Sequence, residues 1–102
     1  LTCIVLADDS AQALGATQAC EEAGRTDIKI IAAGNSKVGM DLVKQGKLFA
    51  ITYQSAEADG AIPIKVAADY FNGVELDKNA AFYLPQAVIT KENVEEYMPA
   101  QW

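Results

Sequence analysis

The sequence has no histidine, only 3 prolines and only 2 cysteines. It also has no apolar run near the roughly 20 residues that span a bilayer. Each shortage excludes something. Without histidine, no Ser-His-Asp triad, Cys-His pair or His-rich metal site can be built from this chain. Cys3 and Cys20 lack metal spacing, and two thiols do not complete a four-ligand site. They read as small buried apolar residues or, in an exported protein, as a disulfide pair. Basic residues are few as well: 8 Lys and Arg against 14 Asp and Glu give a net charge of −6. Nucleic-acid binding needs a basic face that this balance does not supply. Gly-x-Gly-x-x-Gly, Walker and Gly-x-Ser-x-Gly motifs are absent too. Glu21 with Glu22, and Glu95 with Glu96, are adjacent on helices and do not share a face, so neither pair is a two-carboxylate site. No enzyme wholly contained in this chain is expected, and no metal or cofactor.

What is present is 51% hydrophobic sequence over 102 residues, enough for one small core. The chain opens at Leu1 rather than Met and reads as a fragment lacking an N-terminal partner. Residues 3–7 (Cys-Ile-Val-Leu-Ala) form a short apolar run suited to a strand covered on both faces. Ser10 or Asp9 can cap the helix that follows, which carries Ala13, Ala16, Cys20 and Ala23 on one face. Gly24 provides its left-handed stop. The pattern then repeats. A second strand over 28–33 leads through Gly34, Asn35 and Ser36 to a short helix with Val38, Leu42 and Val43 inward. A third strand over 48–53 leads through Gln54 and Ser55 to a longer helix ending near Asn72. Its inward face is Ile62, Val66 and Tyr70. Pro63 lacks an amide, so the helix is expected either to kink there or, as the weak Ala58-Asp59-Gly60 stretch favours, to begin its regular part near Gly60 with Pro63 in the first turn. Residues 74–80 read as a polar loop, 81–90 as extended chain broken by Pro85, and 92–98 as a short terminal helix capped by Thr90. Tyr97 and Trp102 read equally as a surface anchor or as packing.

Strand and helix in alternation predict an α/β fold: a parallel sheet built from βαβ units with right-handed crossovers. In such sheets ligands bind beyond the carboxyl ends of the strands. Asp8, Asp9 and Ser10, then Gly34, Asn35 and Ser36, then Gln54 and Ser55 occupy those ends. Any one of them can be a helix cap or turn residue. As a cluster they offer carboxylate and amide groups to a small hydroxylated molecule. A phosphoacceptor receiver domain also has paired acids after its first strand. It needs an Asp where this chain has Tyr53-Gln54, and a Lys where it has Leu84-Pro85-Gln86.

A family resemblance runs along almost the whole chain. Residues 9–16 (Asp-Ser-Ala-Gln-Ala-Leu-Gly-Ala) are similar to the Asn-Asp-x-x-Ala-Leu-Gly-Ala segment of ribose-type periplasmic sugar-binding proteins. Lys44-Gln45-Gly46-Lys47-Leu48 resembles their Lys-Asp-Gly-Lys-Leu, before a strand ending in Gln, here Gln54. Tyr70-Phe71-Asn72-Gly73 resembles the end of their next helix. Residues 88–94 (Val-Ile-Thr-Lys-Glu-Asn-Val) are similar to their closing Val-Thr-Lys-Glu-Asn-Val. Tyr83-Leu84-Pro85 resembles the subgroup that includes autoinducer-2-binding proteins.

The resemblance implies the last third of a two-lobed periplasmic-binding fold. Residues 1–54 would belong to the C-terminal lobe and 55–80 to the other lobe. Residues 81–102 would form the hinge crossover and the tail. It implies a periplasmic or extracellular solute-binding protein of an ABC transporter, lipid-anchored in a Gram-positive source. Its partners would be a sugar, polyol or furanose-like signal, a membrane permease and the missing N-terminal part. The family's ligand-contacting Asn falls at Asp9 and its hinge Gln at Gln54. Its sugar-binding Asp falls at Gly34, where the acid is missing and Asn35 stands one residue on. The effector-binding core of a LacI-type transcriptional regulator shares this fold and is the alternative reading.

Overall fold

The computed structural model describes residues 1–102. Its elements run β1 (Cys3–Leu6), α1 (Ala11–Glu22), β2 (Lys29–Ala33), α2 (Lys37–Lys44), β3 (Ala50–Thr52), α3 (Ala56–Phe71) and β4 (Val88–Ile89). A short 3-10 helix, Val94–Tyr97, follows. The strands form one sheet in chain order. β1, β2 and β3 are parallel, with Ile4 opposite Ile30 and Ala32 opposite Ile51. β4 returns antiparallel on β3, with Ile89 opposite Ile51. The three expected strands are therefore present and parallel, each somewhat shorter than expected, and the chain is mixed α/β.

Strand order and crossover hand together decide where the core lies. Neighbouring strands joined by right-handed crossovers put both helices on one face of the sheet. That face carries Ile4, Leu6, Ile30, Ala32, Ile51 and Ile89, packed with Ala13 of α1 and Met40, Leu42 and Val43 of α2. Cys3, Val5, Ala33, Thr52 and Val88 point to the opposite face and are exposed, Val5 by 76%. The expectation of a strand covered on both faces is thus corrected for β1. An apolar run marks a strand able to be buried on both sides, but two crossovers of one hand supply only one cover.

The helices match their predicted places with local changes. In α1, Ala13 and Thr17 are buried, and Ala16 and Cys20 pack on the core, whereas Ala23 is exposed. Gly24 follows with φ +64°, the left-handed stop expected of it. In α2, Met40 takes the inward place expected of Val38, which lies at the surface. The helix opens at Lys37, so Val38 stands in its first turn, while Met40 and Val43 meet on the inner face at a spacing of three. Both cysteines are free thiols, Cys3 exposed and Cys20 half-buried.

α3 departs more from expectation. It begins at Ala56 and runs unbroken through Pro63 to Phe71, instead of starting near Gly60. Ser55 accounts for the early start, because its hydroxyl accepts from the Ala58 amide at 3.1 Å. The helix buries no residue. Ile62 and Val66 are only half-buried, and Tyr70 is 67% exposed. With Leu76, Phe82 and Leu84 they line an apolar groove. Only Val88–Ile89 of the expected extended stretch forms a strand, and the terminal helix is a 3-10 turn whose Asn93 side chain accepts from the Thr90 amide. Tyr97 packs inward on Tyr53, ring centroids 5.2 Å apart.

Candidate functional site

Parallel pairing brings the carboxyl ends of β1, β2 and β3 to one edge, beside the first turns of all three long helices. Side chains continue the cross-strand stitching beyond the ladder. Asp9, past β1, is 1% exposed. Its Oδ2 accepts from the Ser36 backbone amide at 2.7 Å and from Ser36 Oγ at 2.9 Å. Asn35, past β2, is also 1% exposed, and its Oδ1 accepts from the Gln54 backbone amide at 2.9 Å. Thr52 Oγ1 accepts from the Gly34 amide at 3.1 Å. The edge is one connected hydrogen-bonded frame.

Two glycines make room for the buried carboxylate. A Cβ on Gly34 would stand 2.7 Å from Asp9 Oδ1, and Gly34 also has φ +111°, a conformation that side chains disfavour. A Cβ on Gly39, inside α2, would overlap the same carboxylate. No lysine or arginine pairs with Asp9. Its hydrogen bonds come instead from the Ser36 amide and hydroxyl at the start of α2, the end of a helix that favours a carboxylate.

Each of these side chains keeps one polar atom in reserve. Asp9 Oδ1 and Asn35 Nδ2 make no hydrogen bond within the protein. No polar side-chain atom of a covered residue is both sealed from solvent and unpartnered. Both residues are 1% exposed, so these unpaired atoms lie at the covered rim of the edge. Gln54, past β3, is exposed, with its carboxamide nitrogen 3.5 Å from Asp59 Oδ2. The structure thus brings the three sequence-predicted residues, Asp9, Asn35 and Gln54, into one frame. Together they present an anionic acceptor, an amide donor and a carboxamide that does both.

The helix-capping roles differ from expectation. Neither Ser10 nor Asp9 caps α1. Asp8 does so, its Oδ2 accepting from the Gln12 amide at 3.2 Å, while both its oxygens accept from Ser10 Oγ. The Ser10 hydroxyl, with further help from the Gln12 amide, holds the Asp8 carboxyl below its ordinary value of 3.8. With Asp8 spent on α1, Asp9 turns toward α2. Thr52 and Gly39 carry no sequence signal of a place at this edge. Thr52 reads as one more β-former in an apolar run, and Gly39 has no local pattern that marks it.

No protein-family model matches the chain. It is 30% identical over 91 residues to a xylitol-binding protein of Mycolicibacterium smegmatis, a match spanning 89% of this chain and 26% of that protein. Among solved structures, it is similar to an ABC transporter solute-binding protein of Bacillus halodurans with bound myo-inositol. Identity there is 33% and the TM-score 0.76, over 95% of this chain and 33% of the other. It is also similar to a periplasmic solute-binding protein of an ABC transporter from Actinobacillus succinogenes with bound D-allose, at 26% identity and TM-score 0.81. That match covers 95% of this chain and 33% of the other. These relatives are of the kind whose motifs the sequence resembles, and the chain spans about a quarter to a third of their length.

Proposed function

We propose that this chain is the C-terminal third of a solute-binding protein that captures a small neutral polyhydroxylated molecule between two lobes and hands it to a membrane permease outside the cytoplasm. The observation that carries this reading is the edge at which Asp9 and Asn35, each with one polar atom unpaired within the protein, stand beside the exposed Gln54. A polyol has hydroxyls on successive carbons, and each both donates and accepts. Asp9 Oδ1 would accept from one hydroxyl, Asn35 Nδ2 would donate to a neighbour, and Gln54 would do either. Xylitol, myo-inositol and D-allose, named with the relatives above, share that pattern of hydroxyls and carry no charge.

Packing supports the division into lobes. Residues 1–54 hold the core, and β4 with the tail returns to it. α3 buries nothing against them, which supports its assignment, with residues 55–80, to the other lobe. Calorimetry of the full-length protein against a panel of neutral polyols is the test. A hydrogen bond to a charged group contributes about 1.5–3 kcal/mol, so Asp9→Ala should weaken binding roughly 10- to 150-fold. Gln54→Ala and Asn35→Ala remove neutral partners and should cost less. Unchanged affinity in all three variants would overturn the assignment.

A further inference from the structure

The pairing of β3 with β4 runs on past the two strands. Ile51 stands opposite Ile89 and Thr52 opposite Val88. Beyond them the Tyr53 amide donates to the Ala87 carbonyl at 2.8 Å. The same antiparallel count sets Gln54 opposite Gln86. Side chains alternate along a paired chain, so Gln54 and Gln86 continue the face of Thr52 and Val88, the one turned away from the core. Directly opposed residues of an antiparallel pair have Cβ atoms about 4.5–5.5 Å apart, so one small molecule can touch both side chains.

The two glutamines line one groove of about 550 Å³, together with Thr52, Leu84, Pro85 and Val88. Gln54 joins this groove to the site edge. Its backbone amide is held by Asn35 Oδ1, while its side chain belongs to the groove. Gln86 is exposed, and its carboxamide has no hydrogen-bond partner within the protein. The fold therefore makes no use of that group. Leu84 and Pro85 give the groove an apolar wall beside it.

We propose that Gln86 is a further ligand-contacting residue, which binds hydroxyls of a neutral polyol together with Gln54 while Leu84 and Pro85 pack on the carbon skeleton. The assignment rests on the binding function proposed above. A carboxamide offers both a donor and an acceptor, so two facing carboxamides match hydroxyls on neighbouring carbons. Ligand sites commonly combine an apolar lining with a few such polar groups.

Calorimetry of the full-length protein against xylitol, myo-inositol and D-allose tests this, comparing wild type with Gln86→Ala, Gln86→Leu and Asp9→Ala. For the polyol that wild type binds, Gln86→Ala should weaken affinity about 2- to 12-fold, the equivalent of one neutral hydrogen bond. Gln86→Leu fills the space without a polar atom and should lose as much. Both Gln86 variants should keep the wild-type thermal unfolding midpoint without ligand. On adding the polyol, the side-chain amide signals of Gln86 in a nitrogen-15 NMR spectrum should shift and show Overhauser contacts to its carbon-bound hydrogens. Wild-type affinity in both Gln86 variants would overturn the assignment, and with Asp9→Ala weakened the binding function would stand without it. Full affinity in Gln86→Leu alone would show a space-filling role in place of the hydrogen bond and overturn it too. A lowered midpoint with no Overhauser contact would assign the carboxamide to the fold instead. Should wild type bind no polyol at all, both readings fall.

Discussion

Asp9 shows how one side chain can serve fold and site together. One carboxylate oxygen anchors the start of α2, and the other has no partner within the protein. The room for it comes from two missing side chains, at Gly34 and Gly39. Gly39→Ala should therefore destabilise the protein by about 1–3 kcal/mol, typical of an overpacked interior. The penalty should shrink once Asp9 is already replaced by Ala, because most of the obstruction is the carboxylate itself. Denaturant unfolding of the two single variants and the double variant measures this coupling; strictly additive effects would show that the two residues do not press on each other. That Asp9, Asn35 and Gln54 share an edge was legible in the sequence, because each follows an apolar run. That Asp9 is tied down by Ser36 was not. Adjacent Asp8 and Asp9 look alike in sequence, and only the fold sends one to α1 and the other to α2.

At the scale of elements, β1 to β3, α1 and α2 were legible because their hydrophobic spacing and their stops agree. α3 was only partly legible. Pro63 suggested a late start, but an exposed helix capped by Ser55 carries the proline in its interior. The single-sided cover of the sheet follows from crossover hand, which no residue type announces. The helix starts also respond to acid. The Asp8 carboxyl is held below 3.8 by Ser10 and Gln12, so its support of α1 is complete above that value and is lost as pH falls through the lower, folded one. Glu92, lowered first by the Thr90 hydroxyl, behaves alike at the terminal turn. Amide exchange at Gln12, corrected for the intrinsic pH dependence, should accelerate once the pH drops below about 4. Asp8→Asn should remove that acid-dependent part. A pH-independent protection factor at Gln12 in wild type would contradict the capping role.

At the scale of the whole molecule, the shape is extended. Its Cα radius of gyration is 17.2 Å over extents of 59 × 27 × 21 Å. A compact chain of 100 residues has about 13 Å. The excess comes from α3 and the segment after it, which stand off the sheet and leave Ile62, Val66, Tyr70 and Phe82 without cover from residues 1–54. Each large side chain of that kind is worth about 1.5–3 kcal/mol when fully buried. The 102-residue chain by itself should therefore self-associate in dilute solution, and Ile62→Lys with Val66→Lys should return it toward the monomer mass. Light scattering reads the result, and a wild-type chain that stays monomeric with Tyr70 shielded would refute the lobe assignment. The same excursion bears on the order of assembly. β1, β2 and β3 pair after short helical crossovers, whereas β4 pairs with β3 only after residues 53–87 have been looped out. Closing a longer loop carries a greater entropic penalty before any contact rewards it. The parallel core is thus able to form first and β4 to zip on last, carrying the tail with it. On the way to the native state the site edge would exist for a time without β4 and the residues that follow it.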